Sequence, residues 1–332
     1  MFCLMAKMFT VHPRVWNYKS LALGYIPDWG WKLKDFQSKC LMEVAESFNW
    51  NLVRTSTFAL MPAWIALEVV REQLWIDYAS VKDGCSLNPD LAAYASEPLS
   101  QNIQAEYARL VEGYKALPDE PAKRLLEDIG IFFIEARIPT SRGIAVGVEV
   151  IFESIVRESA TAFEDLVREL WAVVLDNDDG SMASRVMGSL RKPSKDVVPT
   201  FNPKTHPGSY QVETRQVVFQ KLEKIKELYA VAFGTTASTL FDSVNAGYIN
   251  VLYAFRHVLV HKRGKADSKF REQLANYPEF AHIKGEIVLD GEIVRKMRDA
   301  AMMLGRKLIE LADAELQRQG AQKITNDTDD DS

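Results

Sequence analysis

Between Arg142 and Gln319, apolar residues return every three or four positions along four long segments separated by loops. That period is the signature of amphipathic helices with one face turned to a core. The first segment runs from Arg142 to about Leu175. Val148, Phe152, Ile155, Ser159, Ala162/Phe163, Leu166 and Leu170 lie on one stripe, and Asp176-Asn177-Asp178-Asp179-Gly180 ends it. The second spans about Glu213 to Phe233, with Val218, Leu222, Ile225, Tyr229 and Ala232/Phe233 on its stripe. The third starts near Asp242-Ser243, where either residue can cap it, and reaches His261; Gly264 is a stop signal. The fourth runs from Gly291 to Gln319, with Ile293, Met297, Ala301, Leu304, Leu308 and Leu311 on one face. Four such segments predict an all-α fold whose C-terminal part is a helical bundle.

Two connections depart from that pattern. Ser181 to Tyr210 carries Pro193, Pro199, Pro203 and Pro207, with room for a short helix over Ser181–Leu190. An insert this long in a compact domain is functional or mobile. Gly285 to Gly291 reads as a turn-rich or two-stranded element. After Ile324 the tail holds four aspartates and no apolar residue, so residues 320–332 are expected to be a disordered acidic tail.

The first 140 residues form a separate, mainly helical region with its boundary near Ile138–Ser141. Helical spacing is visible over Lys32–Phe48, Phe58–Val81 and Gln101–Leu117. Six of the seven tryptophans fall within the first 75 residues. Packing into a compact core explains them first, and a partner-binding aromatic surface second.

Charge and cysteine content limit the function classes. The net charge is −5 over 332 residues, so nucleic-acid contact requires a local basic patch. Cys3, Cys40 and Cys85 make an odd number without close pairs, which fits thiols in a reducing cytoplasm and excludes a disulfide framework. The longest uncharged run, Leu228–Phe241, has 14 residues, short of the ~20 needed to span a bilayer. No membrane segment and a cytoplasmic location are expected.

The local basic patch exists. From Arg256 to Arg271 there are six Lys/Arg against Asp267, a balance of +5, and two of the five histidines lie there. His257 and His261 share a helix face at the i, i+4 spacing of zinc-binding HExxH helices, but Val258 stands where the glutamate base would be. Neighbouring cations also oppose a metal ion, so neither a metal site nor a cofactor is expected. Arg256 and His261 suit a different chemistry. Cleaving RNA without metal requires proton transfer near neutral pH and stabilisation of charge on phosphate oxygens. A histidine and an arginine supply these, and Lys262, Arg263 and Lys265 can hold the backbone. Five residues place Arg256 and His261 about 140° apart on an ideal helix, so they converge only through fraying, the length of Arg256 or a second chain. A basic helix end with stabilising histidines is the plain alternative.

The run Arg256-His257-(Val258-Leu259-Val260)-His261, followed by Gly264 and Asp267, resembles the HEPN (higher eukaryotes and prokaryotes nucleotide-binding) family signature of Arg, a polar residue, a short spacer and His at a helix end. Ala162-Phe163-Glu164-Asp165-Leu166 resembles the first-helix Phe-Glu segment of several branches, and the Gly285–Gly291 turn before a long last helix resembles their C-terminal end. The resemblance covers roughly residues 145–318. It implies a four-helix up-down bundle that dimerises to bring two Arg/His motifs into one composite site. It implies a metal-independent endoribonuclease, often a toxin or anti-phage defence protein, with RNA as substrate and an antitoxin or regulatory protein as partner. Arg256 would bind the scissile phosphate, and His261 would be the general acid/base. His257 holds the polar position, and Glu164 would orient Arg256. Arg263 stands where some members have a tyrosine, which speaks against that subgroup. The alternative implied is a non-catalytic HEPN-like dimerisation or nucleotide-binding module whose N-terminal half binds a partner protein.

Overall fold

The computed structural model describes residues 38–55, 142–243, 247–280 and 283–329. The expected helices Phe58–Val81 and Gln101–Leu117, and all tryptophans of the first 75 residues except Trp50, lie outside them. Among the described residues the fold is all-α, with one isolated β-bridge and no strand. The helices are α1 (residues 39–55), α2 (Arg142–Asn177), α3 (Ser181–Val186), α4 (Pro207–Glu213), α5 (Leu222–Phe233), α6 (Thr235–Asp242), α7 (Gly247–His261), α8 (Ser268–Gln273) and α9 (Gly291–Asp329). No helix among the described residues is long and apolar enough to cross a membrane.

The described residues fall into two compact units. The larger gathers residues 38–55, 153–287 and 294–329; the smaller holds 142–152 and 288–293. All positions below belong to the larger unit.

Helix α2 supplies the main core face. Ile155, Ser159, Ala162, Phe163, Leu166 and Leu170 are all buried, as the stripe predicts. Each such leucine or phenylalanine contributes ~1.5–3 kcal/mol of burial. Helix α1 buries Leu41, Val44, Ala45, Phe48 and Leu52, again at helical spacing. Helix α9 buries Val294, Met297, Ala301, Leu304 and Leu308. The three helices meet at Gly305. A Cβ there would lie 2.5 Å from the Phe48 ring and 2.7 Å from Leu166 Cδ2, so any side chain would have to displace both. The core therefore uses a helix from before residue 141. The main-chain N–H of Ser38 adds a tie by donating to Asp313 Oδ1 at 2.8 Å. Trp50, by contrast, is 69% exposed, so core packing does not account for it.

The second expected helix is corrected. The chain makes the short helix α4, breaks at Thr214–Lys221 and restarts at Leu222. Arg215 adopts φ 57, which no continuous helix accommodates. Gln216, Val217 and Phe219 are buried and Val218 is only half-buried, in a stretch without regular secondary structure. Trp171 on α2 anchors this break: its Nε1 donates to Gln211 Oε1 at 3.0 Å, and its ring meets Phe219 and Tyr229.

The third helix begins at Gly247; Asp242 closes the separate helix α6. The last helix continues to Asp329, ten residues past its expected end at Gln319. No proline interrupts that stretch, and Ala321, Gln322 and Lys323 are favourable helix formers. The insert holds α3 and a 3-10 turn at Met187–Ser189, then runs without regular structure to Pro207. Glu213 clamps it by accepting from Thr200 N, Thr200 Oγ1 and Phe201 N at 2.8, 2.7 and 3.2 Å.

Candidate active site

Helix α7 is buried along Ile249, Val251, Leu252, Phe255 and Val258. An apolar face of that width fixes the rotation of the helix, and with it the directions taken by Arg256, His257 and His261. The helix stays regular through His261, so no fraying brings Arg256 toward His261. Its end is well determined. The Val258 carbonyl accepts from Lys262 N at 2.9 Å and Gly264 N at 3.0 Å. Arg263 (φ 52) and Gly264 (φ 73) take the left-handed conformation that turns the chain.

The loop that follows is pinned at both sides. Ala266 N donates to Gly285 O at 2.9 Å and Ile287 N to Gly264 O at 2.7 Å, around the Lys265–Glu286 bridge. The expected two-stranded element around Gly285 is thus a single bridge to the loop after His261. Asp267 caps α8, its Oδ1 accepting from Phe270 N at 2.9 Å. Phe270 then packs edge-on against Phe255, ring centres 5.2 Å apart, next to Arg256 in the chain.

Two groupings result. In the first, Arg256 crosses to Glu164 on α2. Its two terminal nitrogens donate to the two carboxylate oxygens at 2.6 and 3.0 Å. The Glu164 side chain is 10% exposed and that of Arg256 27%. Burial pushes the Glu164 carboxyl up to about 7, against the pull of Arg256 and then Arg168. In the second grouping, His257 and His261 face each other with ring centres 5.1 Å apart. Burial lowers the His257 pKa, and the neighbouring Lys269 and His261 side chains lower it further. His257 is held toward its neutral form, which is the form that accepts a proton.

Lys262, Arg263 and Lys265 are exposed around this end. Lys262 lies 3.8 Å from Asp267, a loose pair on the surface. The structure thus joins Arg256 with Glu164 and His257 with His261, on different sides of α7, and gives Arg256 and His261 of one chain different neighbours.

One residue beside the first grouping escaped the sequence analysis. Tyr253 lies one turn before Arg256, with its ring edge-on to Phe163 at 6.4 Å. Its hydroxyl oxygen is buried and has no hydrogen-bond partner among the described residues. The i, i+3 relation to Arg256 was the available signal.

Set against known proteins, the chain matches no family model, no curated protein and no solved structure.

Proposed function

We propose that this protein is a metal-independent RNA endonuclease of HEPN type, acting as a homodimer with a composite site, in the manner of toxins and anti-phage effectors. The observation that carries this reading is the Arg/His motif at a pinned, basic helix end, with the Arg256 guanidinium held by a buried carboxylate. Arg256 binds the scissile phosphate through its planar fork of donors. His261, exposed at the last turn of α7, moves the proton. The 2′-oxygen loses a proton and attacks phosphorus, the bond to the 5′-oxygen breaks, and that oxygen gains a proton. The products are a 2′,3′-cyclic phosphate and a 5′-hydroxyl. Lys262, Arg263 and Lys265 hold the flanking phosphates. Regular helix through His261 keeps that residue about 140° from Arg256 around α7, which favours a second copy completing the site.

The deciding experiment is RNA cleavage in EDTA, wild type beside His261→Ala and Arg256→Ala, with end-group analysis. Cleavage by wild type alone, leaving cyclic phosphates, is expected. A folded, fully active His261→Ala protein overturns the mechanism.

One observation favours a second reading. Both terminal nitrogens of Arg256 are already engaged by Glu164, as in a purely structural ion pair. On this reading the unit is a non-catalytic HEPN-like module for dimerisation or nucleotide binding, and the N-terminal half binds a partner protein. Absence of cleavage on every RNA offered supports it.

A further inference from the structure

Tyr253 poses a question the Arg256–Glu164 pair does not answer. A buried hydroxyl without a partner is costly to folding, and native interiors hold few of them. This one lies on the same face of α7 as Arg256, one turn earlier, against the Phe163 ring of the residue preceding Glu164. Its electrostatic neighbours are Glu164, Arg256 and Glu223. Burial raises its pKa well above the ordinary range, so it remains a donor throughout the physiological range.

The pair itself presents a difficulty for phosphate binding. While Arg256 is closed end-on against Glu164, its paired end cannot also grip a phosphate, and only the remaining N–H groups at its side are open to one. If Arg256 turns outward, the buried Glu164 carboxyl loses its partner and either stays charged and unpaired, which is strongly unfavourable, or takes up a proton. A second donor on this face of α7 would let the carboxylate stay charged without Arg256.

We infer that Tyr253 is a positioning residue whose hydroxyl takes over Glu164 when Arg256 swings from the carboxylate to a nucleic-acid phosphate. The inference rests on the reading that Arg256 is the phosphate-binding group. In the resting state the hydroxyl waits unpaired, and in the loaded state Tyr253 Oη donates to a Glu164 oxygen. Tyr253 touches no substrate and acts only through Glu164 and Arg256.

The test separates this role from a structural one by giving stability and binding different signs. A fluorescent single-stranded DNA oligonucleotide offers phosphates without the 2′-hydroxyl, so binding is read without turnover. Tyr253→Phe removes the unpartnered hydroxyl and keeps the ring. Its Tm is expected to equal or exceed that of wild type. Its oligonucleotide binding, read by anisotropy, is expected to weaken about tenfold to a hundredfold, the worth of a hydrogen bond to a charged group. In a Glu164→Gln background the group left behind carries no charge, so Tyr253→Phe is expected to change binding by less than about threefold. Two results overturn the inference: a lowered Tm for Tyr253→Phe, or wild-type binding by Tyr253→Phe while Arg256→Ala binds more weakly. If Arg256→Ala binds as tightly as wild type, the phosphate-binding reading of Arg256 fails, and this inference falls with it.

Discussion

Arg256 and Glu164 are 92 residues apart in sequence, yet both terminal nitrogens of the one meet both carboxylate oxygens of the other at 2.6 and 3.0 Å. The two ends of the pair are not equally buried: the carboxylate is 10% exposed and the guanidinium 27%. Removing the arginine therefore strands the more deeply buried charge. Arg256→Ala is expected to cost about 2–4 kcal/mol near pH 8. Glu164→Ala is expected to cost less, because the freed arginine turns to solvent. Urea unfolding of both variants checks the order. Equal losses would show that the two charges are solvated alike.

The same carboxylate makes stability depend on pH. Burial raises Glu164 from 4.5 to about 7. Between those values the folded protein holds a proton that the unfolded chain has released, so stability falls as pH rises through the window. The loss approaches about 3 kcal/mol over the full interval. Glu164→Gln removes the titrating group and this slope with it. Urea midpoints measured at about pH 5 and about pH 8 are expected to separate for wild type more than for Glu164→Gln. Parallel behaviour of the two proteins would assign the pH dependence to another group.

At the core, Gly305 opposes propensity to packing. Alanine is favoured over glycine within a helix by about 1 kcal/mol. Here the added methyl would meet the Phe48 ring at 2.5 Å and Leu166 at 2.7 Å. Overpacking of this kind costs about 1–3 kcal/mol, enough to outweigh the helix gain. Gly305→Ala is thus expected to lower Tm. Phe48→Leu removes the ring that crowds the new methyl, so adding it to Gly305→Ala should cost less than adding it to wild type. A raised Tm for Gly305→Ala alone would mean that α1 does not press on α9 at this point.

What sequence makes legible follows from the range of each interaction. The stripe Ile155 to Leu170 was readable because a helix repeats its own pattern within a few residues. The burial of Val217 and Phe219 was not, since their apolar side chains blend into the neighbouring helical stripe until Arg215 breaks the helix with φ 57. The helix expected over Lys32–Phe48 and observed over 39–55 showed its period but neither its full extent nor its partners, because packing on Leu166 and Gly305 is long-range. At the site, Arg256, His257 and His261 stood out through local charge and spacing. Glu164 came only through resemblance, since no local rule links positions 92 residues apart. Tyr253 was missed because an unpartnered hydroxyl is a property of surroundings, not of sequence.

The exposed cations beyond His261 allow the electrostatic part of RNA binding to be measured apart from chemistry. Lys262, Arg263 and Lys265 are exposed; Lys262 lies 3.8 Å from Asp267, and Lys265 stands opposite Glu286 in the backbone bridge. A pair so loose and so exposed contributes little to stability, so the three are available to phosphates at small cost to the fold. Each phosphate neutralised on a single strand contributes about 0.7 to the slope of log K against log salt. Replacing all three by Gln in a His261→Ala protein, which binds without cutting on the proposed mechanism, is expected to reduce that slope by about 2. Asp267 keeps its cap on α8 in the triple variant, since Phe270 N is its donor, so Tm is expected to stay within about 2 °C of the parent. An unchanged salt slope with an unchanged Tm would move the RNA path away from this end of α7, to the insert Ser181–Tyr210 with its Arg185, Arg191, Lys192 and Lys195.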